Sequence, residues 1–148
     1  MQILETGDAS PAIDVPEGFT PLKRGGPYFS LLGPVYSRRT GENGMVIGLR
    51  LDERHLNARG VAHGGMLMTL ADSALGVAII LASGAKGLAT VHLSSDFLEP
   101  GRPGDWLEAH VEIDRLGKRT AFATCHLEVA GQRILRASGV FSILRSKA

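Results

Sequence analysis

Asp72 is the single charged side chain between Gly64 and Ala85, in the run GGMLMTLADSALGVAIILASGA. A carboxylate set among Leu, Met, Ile and Ala loses hydration and must be compensated, so its presence calls for a reason, and a functional one is a candidate. A structural reading competes: an Asp held by a neighbouring hydroxyl such as Thr69, or turned to the one wet side of its helix. Just upstream, His63, Gly64 and Gly65 open the same run. The N–H groups at a helix start point outward without partners, and the helix dipole there favours negative charge. Two glycines at that place offer an acceptor site for a carbonyl oxygen becoming an oxyanion. The competing reading is a turn that glycine merely relieves.

Spacing limits how these groups can cooperate. Gly65 and Asp72 are seven residues apart, roughly 10 Å along a helix. Each would need a contact of about 3 Å to the same reacting centre. One helix cannot supply both, so Asp72 of one chain must meet the helix start of another, as two antiparallel helices about a two-fold axis would allow. The spacing predicts a dimer.

The remaining polar candidates are weaker. Asn57, six residues before His63, suits either a water-orienting amide or a turn cap. His92, His110 and His126 fall on the solvent face of three expected strands and lack compact zinc-ligand spacing. Ser73, Ser94 and Ser95 have no evident base with an orienting acid. No metal or cofactor is expected.

A helix from about Met66 to Ser83, ended by Gly84 and Gly87, must position Asp72. It is apolar almost all round, so it is expected inside a sheet. Six strands are expected, at Tyr28–Arg38, Met45–Leu51, Leu88–Leu98, Trp106–Asp114, Ala121–Val129 and Ile134–Leu144. In the third of these, Ala89, Val91, Leu93 and Phe97 are expected on one face. The short turns between the later strands imply antiparallel neighbours. The result is an α+β domain, an antiparallel sheet of about six strands curled round one long helix. Residues 1–27 carry four prolines and four glycines and read as an irregular arm, with a short helical turn near Glu17 to Leu22 at most.

Composition narrows the partners. Sixteen Lys plus Arg against 15 Asp plus Glu leave +1, and the arginines are scattered, which argues against nucleic acid. The one cysteine, Cys125, excludes a disulfide framework within the chain and fits a reducing compartment. The first residues are acidic, the wrong sign for a targeting peptide, so a cytoplasmic location is expected. The apolar run of the helix falls short of the ~20 residues that span a bilayer.

Taken together, Asn57, the His63-Gly64-Gly65 start and Leu70-Ala71-Asp72 resemble the hotdog-fold acyl-CoA thioesterases, in the PaaI-like (phenylacetate-degradation) branch of the 4-hydroxybenzoyl-CoA thioesterase superfamily. FLEPGRPGDWLEAHVEIDRLGKRTAFA and the closing ASGVFSIL are also similar to that family. The resemblance covers roughly residues 28–146 and implies a hotdog domain over 28–148, with the arm outside it. It implies Asp72 as catalytic carboxylate, acting either as general base toward water or as nucleophile through an anhydride. Gly65 or Gly64 would donate a backbone N–H to the thioester carbonyl, with His63 shaping the loop. Asn57 would hold the water or the carbonyl, and Thr90 would lie near the carboxylate. It further implies sites between subunits, and dimers that pair into tetramers. The phosphates of CoA would meet Arg115, Lys118 or Arg119 in a hairpin turn, unless that turn is merely a solvated basic one. Two rival readings are a hotdog hydratase or dehydratase and a non-catalytic acyl-CoA-binding module. The absence of proline between Pro34 and Pro100 weighs against the first, and an Asp kept in a dry helix against the second.

Overall fold

The computed structural model describes residues 13–145, in the order β1 (Thr20–Pro21), α1 (Gly26–Ser30), β2 (Tyr36–Thr40), β3 (Gly44–Arg50), a single 3₁₀ turn (Glu53–His55), α2 (Gly64–Ser83), β4 (Gly87–Phe97), β5 (Trp106–Leu116), β6 (Thr120–Val129) and β7 (Gln132–Leu144). One antiparallel sheet runs β1-β2-β3-β5-β6-β7-β4 and curls round α2. It has seven strands instead of six.

The extra strand comes from the arm. Thr20–Pro21 pairs with Tyr36 and Ser37 where a helical turn was expected, and Pro21 is tolerated because the pair lies at the sheet edge. Upstream, Phe19 packs edge-on against Trp106 at 5.1 Å, on the outer face of the sheet. Gly48 on β3 leaves room for the indole, which a Cβ there would strike. Arg50 lies over the same ring and binds the Asp14 carbonyl through Nη2 at 2.6 Å. The arm thus grips the outer face, rounds the edge as β1, and delivers α1 to the helix side. Residues 1–12 of the arm lie outside the described residues.

The expected first strand at Tyr28–Arg38 is corrected. Pro27 sits in the first turn of α1, where its missing N–H is no loss. Pro34 likewise has no N–H to give a ladder, and the strand begins only at Tyr36.

α2 spans 20 residues, three of them beyond the apolar run, and is long and apolar enough to cross a membrane. Its composition has another cause here. Met66, Leu67, Leu70, Ala71, Ala74, Leu75 and Ile79 are buried against the inner faces of the sheet, with Leu49, Leu107, Leu127, Leu135 and Phe141. Gly84 ends the helix in the left-handed region (φ 68°), donating its N–H to the Ile80 carbonyl.

β4 departs from simple alternation. Its register with β7 shifts between Thr90 and His92, a bulge at Val91. The extra residue changes which side chains share a face. Leu88 and Thr90 before it and Leu93 after it face α2, while Val91 is 64% exposed. The expected set of Ala89, Val91, Leu93 and Phe97 on one face is therefore broken by the bulge.

Candidate active site

Asp72 lies on the half-open side of α2, toward β4. The Thr90 hydroxyl donates to its Oδ1 at 2.7 Å. Thr69 is not its partner, because that hydroxyl donates instead to the Gly65 carbonyl at 2.9 Å. The local-hydroxyl explanation of Asp72 thus fails for Thr69, and the residue that holds it comes from a strand 18 positions later. Asp72 and Thr90 both line two adjoining hollows. One, of about 240 Å³, runs along α2 past Gly76 and Ile80, between Leu88 and Phe141. The other opens toward Met68, Thr69 and Leu93.

Arm residues complete these walls. Arg24 and Gly25 border the first hollow, and Tyr28 of α1 borders the second. Reading the sequence missed all three: Arg24 and Gly25 lie in the arm, which has no periodicity and falls outside the resemblance, and Tyr28 was expected in the first strand. The arm's proline and glycine content gave no sign that it folds back over Asp72.

The helix start is built differently. His63 is the N-cap, and its Nδ1 accepts the Gly65 N–H at 2.9 Å. That bond puts the proton of a neutral imidazole on Nε2. Leu67 N–H bonds the His63 carbonyl, which leaves Gly64 N–H and Met66 N–H without partners among the described residues. The Phe97 ring crosses Gly64 so closely that a Cβ there would sit 3.2 Å from Cε1. A side chain at 64 would need the ring to give way by a few tenths of an ångström, so the close approach favours glycine there.

Behind the start stands a histidine that sequence reasoning overlooked. His55 is 3% exposed; its Nδ1 accepts the Asp52 N–H at 3.0 Å and its Nε2 meets the Leu32 carbonyl at 2.8 Å. Its own carbonyl accepts the His63 N–H at 2.8 Å. Asp52 caps the turn by accepting Arg54 N–H, so Asp52 and His55 form a capping box. The Asp-x-x-His spacing was the available signal. Burial pushes the Asp52 carboxyl up, but the Arg54 side-chain and backbone hydrogen bonds and the nearby His55 and Arg54 charges outweigh it and leave the pKa below its usual value.

Asn57 is committed to the loop before the helix. Its Oδ1 accepts Arg59 N–H at 2.9 Å and Val61 N–H at 3.4 Å, the Asx-turn cap. The side-chain NH₂ has no partner among the described residues. The structure therefore brings Asp72 and Thr90 together, and gathers Asn57, His63, Gly64 and Gly65 round the helix start. Within one chain it does not join the two groups.

Arg115, Lys118 and Arg119 do come together, lining a shallow groove at the β5–β6 turn with Phe122. Ala121 pairs with Phe141, which pairs with Thr90. The turn thus emerges two strand spacings, about 10 Å, from the Asp72 side.

Other candidates recede. His110 Nε2 lies 3.1 Å from Glu108 and 3.0 Å from Glu128, in register with His126 across β5 and β6. Among the described residues, no group of three His, Cys, Asp or Glu is arranged to hold a metal ion. Burial raises the Cys125 thiol to about 12, so no thiolate nucleophile forms there near neutral pH.

Comparison with known proteins places this geometry. The family model of the thioesterase superfamily matches residues 59–135, which include the helix start, Asp72 and Thr90. A Pseudomonas aeruginosa protein given the provisional name of an esterase is 45% identical over 132 residues, covering 88% of this chain and 98% of its own. The acyl-coenzyme A thioesterase PaaI of Escherichia coli is 36% identical over 77 residues, 51% of this chain and 52% of that one. Among solved structures, a variant of the phenylacetic acid degradation protein PaaI from Thermus thermophilus superposes with a TM-score of 0.72 at 25% identity, covering 80% of this chain and all of that one. The chain belongs to the thioesterase superfamily, with the hotdog fold, and is similar to the PaaI proteins within it. It is a thioester hydrolase.

Proposed function

We propose that the substrate is an acyl-CoA and that each active site is shared by two copies of the chain. The observation that carries this reading is the half-furnished carboxylate: Asp72 is held through Oδ1 by Thr90, and its second oxygen borders hollows that contain no oxyanion donor from its own helix start. A second copy supplies what is missing. β4 ends the sheet, and its free edge runs 11 residues with no proline and one charge, Asp96, already bonded to Arg136 at 2.8 Å. Such an edge invites antiparallel pairing. Two β4 edges joined about a two-fold axis would set the α2 helices antiparallel, the start of one beside the Asp72 of the other.

In that site Asp72 takes a proton from water as the water oxygen attacks the thioester carbon. The alternative route, attack by Asp72 itself to form an anhydride that water then opens, uses the same geometry. Gly64 N–H of the second copy receives the developing oxyanion, since His63 keeps the N–H of Gly65. The Asn57 NH₂ holds the water or the carbonyl, and its Oδ1 keeps the loop in shape. The leaving thiolate needs little protonation. Its CoA phosphates meet Arg115, Lys118 and Arg119. Dimers pair further into tetramers, and a single buried cysteine, Cys125, fits a reducing, cytoplasmic place of action.

Free-thiol release from a panel of acyl-CoAs, with chelator present, tests the reading. Turnover that survives the chelator is expected. Binding without any thiol release would favour a binding module, and activity lost to chelation and restored by zinc would mean the histidines carry the chemistry.

A further inference from the structure

The interior of α2 contains one glycine, Gly76, one turn beyond Asp72. Glycine in a helix interior is less stable than alanine, so its presence there needs a cause. Contacts within the chain do not supply one. A Cβ built at Gly76 meets nothing nearer than Leu88 Cδ1 at 4.0 Å, an ordinary van der Waals distance. This contrasts with Gly64, where the Phe97 ring stands in the way. What the missing side chain at 76 does leave is space. Gly76 borders the hollow of about 240 Å³ that also holds Asp72, with Val77, Ile80, Leu88 and Phe141 as its apolar walls.

We propose that Gly76 sets the size of the acyl group this enzyme accepts, its missing side chain leaving the hollow beside Asp72 wide enough for a ring-sized apolar group. The assignment rests on the acyl-CoA reading above and deepens it. Apolar cavities of about 150 Å³ are already large enough to take benzene. With its carbonyl carbon at Asp72, an acyl group lying along α2 meets position 76 one helical turn, about 5.4 Å, further on. A side chain there would occupy the volume the acyl group needs. Arg24 and Gly25 close the same hollow from the arm, so the acyl group is covered by a segment outside the matched family region of residues 59–135.

The experiment is a graded series, Gly76→Ala and Gly76→Leu, read with two pairs of probes. Benzoyl-CoA and acetyl-CoA report hydrolysis. Phenacyl-CoA and acetonyl-CoA, thioethers that cannot be hydrolysed, report binding. The ratio of kcat/KM for benzoyl-CoA over acetyl-CoA should fall at least about tenfold in Gly76→Leu and by a smaller factor in Gly76→Ala. The affinity ratio of phenacyl-CoA over acetonyl-CoA should fall in parallel, and Gly76→Ala should melt at a higher temperature than wild type. Ratios that stay fixed, or fall equally for both members of each pair, overturn the assignment. So does dissociation of the Gly76→Ala oligomer, which would show that the glycine serves contact between helices. Failure of the underlying reading looks different: phenacyl-CoA would bind in a Gly76-dependent way while no acyl-CoA releases thiol.

Discussion

At its start α2 is fastened on several sides: His63 caps Gly65, His55 holds the chain entering it, and Phe97 lies across Gly64. Two turns along, Asp72 has one hydrogen-bond partner among the described residues and faces hollows beside an unpaired strand edge. A bonded turn presents N–H groups in fixed directions, as a charge-stabilising site requires. A carboxylate that must receive substrate and water needs room. The start and the middle of one helix therefore offer complementary halves of a hydrolytic site, too far apart to act on one carbon.

Substitutions can break this contrast from either side. The largest effect on turnover is expected at the open half. Asp72→Asn should keep the fold, as thermal melting will show, and lower kcat by about 10² or more. Wild-type rates in the folded variant would make Asp72 structural. At the fastened half the loss should be one of stability. His55→Leu strands the Asp52 N–H and the Leu32 carbonyl, each costing about 1–3 kcal/mol when buried without a partner, so urea unfolding should show a loss of roughly that size. An unchanged midpoint would mean the loop is held otherwise.

Thr90 sharpens the open half. Thr90→Val removes the hydrogen bond that orients the carboxylate, so kcat should fall about tenfold with the melting temperature little changed, while Thr90→Ser restores the rate. A loss that Thr90→Ser fails to rescue would argue against the Thr90–Asp72 bond as its cause. The smallest effect lies far from either half. Burial, followed by the Arg133 and Arg136 charges against the opposing Glu128 and Glu112, holds His126 below its usual 6.5. Its unfolded form binds the proton more readily, so its contribution is intact above pH 6.5 and is lost as pH falls through the folded value. His126→Gln should flatten the melting temperature over that interval and leave kcat alone.

The sequence made the central helix and its neighbours legible because their apolar periodicities are long and their turns carry glycine. β4 was legible as a strand but not in its facing, since the bulge at Val91 is a matter of pairing with β7 and leaves no local mark. Asp72 stood out as a charge in an apolar run, and the resemblance pointed to Thr90. Arg24 and Gly25 were invisible and Tyr28 was expected on a strand: what brings them to the site is Phe19 on Trp106 and the edge pairing of Thr20–Pro21, contacts distant in sequence. His55 was missed for a different reason, as its capping box uses histidine where Glu or Gln is the usual signal.

The claim that two chains share each site is tested most directly by subunit exchange between two inactive variants. Asp72→Ala removes the carboxylate. Asn57→Asp removes the side-chain NH₂ while keeping the oxygen that Arg59 and Val61 N–H bind. In a mixed dimer one site receives both lesions and the other receives neither, so thiol release should reappear on mixing, with exchange verified by differently tagged chains. If mixed dimers form and activity stays absent, the site is built within one chain and the shared-site account is wrong.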